Sequence, residues 1–177
     1  AKKAQGIKVI SFGIGDPELA TPSAVIDELR NTSLDTPNHR YPETDGLPEF
    51  RMAVSEWYKK RFNVELHADT EVLPLIGAKE GIAHASSCFI NPGDIAVVPD
   101  PGYPVYSVGT WFAGGNCHWM NLKESEGWLP NLSEIPSDIA KRAKIMWLNY
   151  PNNPTGAIAT KEYFQQVIEF AKSYDIA

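Results

Sequence analysis

Three short stretches combine residue types that could do chemistry. The first is "LIGAKEG", residues 75–81, where a glycine turn leads from an apolar run into a helix. The first N–H groups of a helix have no intrahelical acceptor and gather an anion, and Lys79 beside Ala78 adds a positive charge. Phosphate or carboxylate is the matching ligand. The spacing is neither GxGxxG nor a Walker loop, and an ordinary turn with a solvated lysine has the same letters. The second is "VPDPGYPVY", residues 98–106. Its prolines and glycine stiffen the backbone around Tyr103, which makes a stacking plate for a planar ring or a core tyrosine in a rigid loop. The third is "NYPNNPTGAIAT", residues 149–160, right after the apolar run "AKIMWL". An X-Pro bond tolerates the cis form, which would fix the direction of the Asn153 amide, and Gly156 lets the chain turn sharply. A fixed amide can donate to a ring oxygen or a carboxylate. A plain turn uses the same residues.

The elements that must position these loops alternate. "TPSAVIDELRN" starts with a cap-like Thr21 and a proline, and predicts a helix. "LPEFRMAVSEWYKKRFN" sets Phe50, Val54, Trp57 and Tyr58 at helical spacing, and predicts an amphipathic helix. Strands are expected at "EVLPLIG", "IAVVP", "CHWMNL" and "AKIMWLNY", with helices at "AKEGIAHASSCFI", after "DPGYP" and at "KEYFQQVIEFAKSY". "NHRYPETDG" reads as loop and "SEGWLPNLSEIPSDIA" as a surface excursion. Continuous apolar strands alternating with helices predict an α/β fold, a mostly parallel sheet sandwiched by helices. Ligands of such sheets bind beyond the carboxyl ends of the strands, where all three loops fall. Together they offer an anion cradle, an aromatic plate and an aimed amide. That set suits a planar, phosphorylated aromatic cofactor, and pyridoxal 5'-phosphate fits.

The 177 residues carry a net charge of −6 without a block of like charges, which argues against nucleic acid as a partner. No stretch has the length of a membrane span or the build of a signal peptide. The cysteines, Cys88 and Cys117, sit in apolar surroundings without CxxC spacing and are expected to be buried free thiols of a cytoplasmic protein. The histidines show no metal-ligand spacing. Trp57, Trp111, Trp119, Trp128 and Trp147 are expected in core and helix packing. The opening "AKKAQGIKVISFG" and the closing "DIA", which reads as the first step of another strand, suggest a piece of a longer chain.

In order, "FGIGDPELATP", "YPETDGLPEFRMAV", "IGAKEGIAHA", "PDPGYPVY" and "NYPNNPTGA" resemble the class I/II aminotransferases of fold type I. Within them, the LL-diaminopimelate aminotransferase-like branch is the most similar. The resemblance runs over essentially the whole chain. It implies a pyridoxal-phosphate-dependent enzyme passing an amino group from an amino acid to a 2-oxo acid, working as a homodimer. It also implies an N-terminal arm and the start of the small-domain region over residues 1–40, and the N-terminal part of the large cofactor domain over 41–177. By resemblance, Gly15 lies against the substrate carboxylate, and Tyr41 reaches the cofactor phosphate of the other subunit. Ala78 and Lys79 hold the phosphate, Tyr103 stacks on the ring, and Asn153 meets its phenolic oxygen. Lys79, Tyr103 and Asn153 also border the substrate. The family's Schiff-base lysine, its aspartate against the pyridine nitrogen and its carboxylate-binding arginine belong to sequence beyond the matched stretch, and Lys79 is not that lysine. The same scaffold supports lyases and synthases, and non-catalytic regulatory domains, so the fold does not fix the reaction.

Overall fold

The computed structural model describes residues 2–10, 15, 17 and 19–177. The chain divides into two compact units, Ala1–Leu73 and Pro74–Ala177. The first is helical. It holds α1 (Ser23–Thr32) and α2 (Pro48–Phe62), with short 3-10 turns at Lys3–Gln5 and Thr36–His39. Pro22 rather than Thr21 occupies the cap position of α1, without a side-chain cap bond, so the expected cap stands one residue too early. Pro48 opens α2, where its fixed φ suits the first turn, and Asn63 closes it at φ 55°. The helix is where its spacing puts it, but Phe50, Trp57 and Tyr58 of its apolar face are exposed. The residue that α2 buries is Arg51. Most of the glycine-rich stretch 11–18 lies outside the described residues.

The second unit carries the sheet. It contains α3 (Ala78–Phe89), β1 (Ile95–Asp100), α4 (Val105–Phe112), β2 (Asn116–Asn121), α5 (Ser137–Ala140), β3 (Ala143–Met146) and α6 (Lys161–Tyr174). The strand order is β2-β1-β3, and both pairings are parallel. All of Ile95–Pro99 is buried, as a central parallel strand covered on both faces requires. Alternate residues feed two cores. Ala96, Val98 and Ile145 pack with Val105 and Tyr106, under Ile82 and Ala83 of α3. Val97 and Ala143 pack on the opposite face with Met120, Ala140 and Ile135, under Phe170 and Ala171 of α6.

Four expectations need correction. "EVLPLIG" forms no strand, because no strand among the described residues supplies hydrogen-bond partners for it. The excursion over 125–140 is not a surface feature throughout, since Pro130, Ile135 and Ala140 are buried. Cys88 is exposed and Cys117 half-buried, both as free thiols, and burial pushes the Cys117 thiol up. Trp57, Trp111 and Trp119 are exposed, while Trp147 packs against the core. At the closing "DIA", which forms no assigned strand, the Ala177 N–H donates to the Lys144 carbonyl (3.1 Å) and its carbonyl accepts from Met146 (2.9 Å), beside β3. Among the described residues no helix is long and apolar enough to cross a membrane, and there is no metal-ligand cluster.

Candidate functional site

The topology makes a crevice. From β1 the chain leaves through α4, on the face of the first core, to β2 on one side. From β3 it leaves through α6, on the other face, to residues 176 and 177 on the other side. Adjacent parallel strands whose connections diverge open a cleft beyond their carboxyl ends. The loop after β1 carries Tyr103, and the loop after β3 carries Asn153.

The Tyr103 loop is tightly folded. A Cβ on Gly102 would lie 2.4 Å from the Pro99 carbonyl oxygen, so only glycine fits there. The Leu122 N–H donates to the Asp100 carbonyl at 2.7 Å and pins the loop's start. The Tyr103 ring stands edge-on to Tyr106, with centroids 6.0 Å apart, and Tyr106 stacks on Trp147 at 5.2 Å and 17°. Burial pushes the Tyr106 phenol up. This row of rings holds Tyr103, which is half-buried, from behind.

The first turn of α3 comes to the same ring. The Lys79 Nζ lies 5.9 Å from the Tyr103 ring centroid. Gly77 caps the helix at φ 81°, a left-handed conformation that favours glycine, although a Cβ there would meet open space. The Glu80 carboxylate folds back to accept from the Ile76 N–H at 2.6 Å. One of its oxygens is thereby engaged, while Ala78 and Lys79 are exposed with first-turn N–H groups that no helical carbonyl accepts.

The amides of "NYPNNPTG" divide their work. The Asn149 side-chain oxygen accepts from the Asn153 N–H at 3.1 Å. Asn152 is buried. Its Nδ2 donates to Thr155 Oγ1 at 2.9 Å, its N–H donates to the Ala157 carbonyl at 2.8 Å, and its carbonyl accepts from Gly156 at 2.7 Å. The Asn153–Pro154 bond is cis, as is Tyr150–Pro151. Asn153 alone of the three is exposed, and its carboxamide meets no partner among the described residues.

Of the residues singled out by sequence, the structure brings Lys79 and Tyr103 into contact, with Ala78 one residue away. Asn153 reaches the same end of the sheet through topology, without a direct contact to either. Gly15 and Tyr41 are exposed and belong to the first unit. The loop after Tyr41 is braced by the buried Arg51. Its Nη1 donates to the Asp45 carboxylate (2.7 Å) and to the carbonyls of Asp45 and Gly46 (2.9 Å each), and its Nη2 to Asp69 (3.2 Å). Sequence reasoning missed Gly102, Asn149, Asn152 and Arg51. An asparagine two to three residues ahead of a Thr-Gly pair is the signature of a side-chain-closed turn, and could have found Asn152. A charged residue on the helix's inner face could have found Arg51.

The sequence profile described as aminotransferase class I and II matches residues 7–177. The chain belongs to that family. It is 55% identical over 174 residues to the LL-diaminopimelate aminotransferase of Moorella thermoacetica, covering 98% of this chain and 45% of that protein. With the Aquifex aeolicus LL-diaminopimelate aminotransferase it shares 49% over 175 residues, covering 99% and 45%. Substrate-bound BacF from Bacillus subtilis superposes with a TM-score of 0.91 at 38% identity, over 99% of this chain and 44% of that one. An alanine aminotransferase from Pyrococcus furiosus gives 0.87 at 31%, over 98% and 44%. The chain thus spans 45% of the length of the curated relatives it matches. Enzymes of the family depend on pyridoxal 5'-phosphate, and the residues here fit that group: a helix start with open space at Gly77, a cation over a phenol ring, and an unbonded carboxamide.

Proposed function

We propose that this chain forms the cofactor-holding part of a pyridoxal-phosphate-dependent aminotransferase that moves an amino group from an amino acid to a 2-oxo acid. The observation that carries the reading is the contact between the first turn of α3 and the Tyr103 ring, with Lys79 Nζ 5.9 Å from its centroid. It sets an anion cradle beside an aromatic plate, the two recognition elements that a phosphorylated ring requires. The N–H groups of Ala78 and Lys79, with the Lys79 ammonium, bind the phosphate. The Tyr103 ring backs the pyridine ring and excludes water from that face. The Asn153 carboxamide donates to the phenolic oxygen. Bound there, the cofactor supplies an electron sink for amino-group exchange. Lys79, Tyr103 and Asn153 also border the substrate.

Gly15, against the substrate carboxylate, and Tyr41, reaching the phosphate of a second subunit in a homodimer, are assigned through the family resemblance. The full exposure of Tyr41 leaves its side chain available for that reach. The names of the relatives favour LL-diaminopimelate as the amino donor, and we place the protein in the cytoplasm. The test uses the full-length protein. Purified and supplied with the cofactor, it is given LL-diaminopimelate and 2-oxoglutarate, and amino transfer is followed. Transfer that drops at least tenfold when Tyr103 becomes Ala supports the reading. A protein that neither retains the cofactor nor transfers any amino group from a panel of donors overturns it.

A further inference from the structure

Two tyrosine hydroxyls tie the excursion between β2 and α5 to the rest of the second unit. Tyr150 donates to the Trp128 carbonyl at 2.7 Å, and Tyr163 of α6 donates to the Pro130 carbonyl at 2.8 Å. Their rings meet edge-on with centroids 6.4 Å apart, and Tyr150 also meets Phe164 at 6.1 Å. Trp128 sits at φ 61°, a conformation that a bulky residue keeps only where its surroundings impose it. The two bonds differ in what they hold. Tyr163 anchors the excursion to a helix. Tyr150 belongs to the loop of Asn149, Asn152 and Asn153, and three side-chain bonds and two backbone bonds lock that loop internally. A loop so braced moves as one piece, so an outside tether sets its direction. The Tyr150 hydroxyl is the side-chain tether from this loop to another segment among the described residues.

We propose that Tyr150 is a positioning residue: by holding the Trp128 carbonyl it fixes the direction in which the loop presents the Asn153 carboxamide to the cofactor. The inference rests on the proposed role of Asn153. A donor to the ring's phenolic oxygen favours its anionic form, so losing or misaiming that donor raises the pH at which the bound cofactor gives up its proton.

The experiment is a pH titration of bound-cofactor absorbance in the full-length holoenzyme, for the wild type, N153A, Y150F, Y163F and the double variant Y150F/N153A. Y150F keeps the ring contacts and removes only the hydroxyl. The N153A midpoint should rise by about one pH unit, the scale of a lost hydrogen bond to a charged group. Y150F should move it in the same direction by about half as much. Y163F, which loosens the same excursion from the other end, should leave it unmoved. Y150F should add nothing once Asn153 is gone, since a residue acting through another has no independent effect. If N153A shifts the midpoint and Y150F does not, or if Y163F shifts it equally, the positioning role of Tyr150 is overturned while the Asn153 assignment stands. If N153A leaves the midpoint unmoved, the Asn153 assignment itself fails and the inference goes with it.

Discussion

Replacing Gly102 with alanine probes the site through a single methyl group. The added Cβ would stand 2.4 Å from the Pro99 carbonyl oxygen and 2.9 Å from the Pro99 Cγ. Ordinary contact begins at 3.4 Å, so about 1 Å of separation must be found (3.4 − 2.4). Pro99 cannot supply it, because it is a buried residue of the central strand with a ring-locked φ. The loop moves instead and takes Tyr103, the next residue, with it. Overpacking of this kind costs about 1–3 kcal/mol. For a domain of this size that is a fall in Tm of roughly 2–4 °C per kcal/mol. The larger effect is on the site, since a displacement of about 1 Å in a positioned group can cost about 100-fold. The assay is an equilibrium titration of the full-length protein with pyridoxal 5'-phosphate, beside a thermal melt. Cofactor affinity should fall at least about tenfold by the same argument. Gly93→Ala is the control. Its φ is 90° and its Cβ meets nothing within 4 Å, so it strains the backbone without moving the Tyr103 loop. G102A protein that melts like the wild type and binds the cofactor within about twofold would refute the reasoning, because that displacement could not then be occurring.

Lys79→Met keeps the aliphatic stem and removes the charge over the Tyr103 ring. Lys79 forms no ion pair among the described residues, so Tm should hold, while cofactor affinity drops about two- to fivefold, and by less at high salt. Burial pushes the Tyr150 phenol up to about 12, and Tyr163 upward as well. With folded pKa values above the unfolded ones, their stabilising contribution is complete below the ordinary tyrosine pKa of about 10 and disappears as pH rises through the folded values. Alkaline unfolding followed by circular dichroism should therefore begin above about pH 10, and Y150F/Y163F should flatten it. Arg51→Lys cannot reproduce a fork that reaches Asp45, Gly46 and Asp69 at once. It should cost about 1.5–3 kcal/mol and make residues 41–47 the first site of limited proteolysis. Cleavage elsewhere first, at unchanged stability, would count against the brace.

The sequence was most legible where local pattern and burial agree. The buried run of β1 and the glycine-to-helix turn at α3 sit where their letters put them, because both faces of β1 are covered within this chain. The strand expected at 71–77 fails for the opposite reason: its apolar pattern specifies a pleated surface but not a partner, and a strand without a partner is only extended chain. The same holds for Phe50, Trp57 and Tyr58, whose helical spacing is real although no described residue of the first unit covers it. At the candidate site, Lys79 and Tyr103 could be singled out because their loops together, in an order that resembles a known family, point to one ligand, although each alone reads as an ordinary turn. Gly102 and Arg51 could not. One depends on how closely two backbone segments approach, and the other on which carbonyls a buried guanidinium meets, and neither distance is written in residue order. Tyr150 was hidden because its partner is the backbone of a residue 22 positions away.

The row of rings behind Tyr103 also makes an optical instrument. Trp147 stacks on Tyr106, which touches Tyr103, and the Trp147 indole N–H is buried without a partner among the described residues. An indole held that way emits at shorter wavelength than the water-exposed Trp57, Trp111 and Trp119. The blue edge of the protein's fluorescence therefore reports on Trp147, two rings from the surface where a planar ligand would lie, together with the half-buried Trp128. A chromophore settling on Tyr103 would quench that edge before the red one, and the ratio of the two would count occupied sites without any added dye.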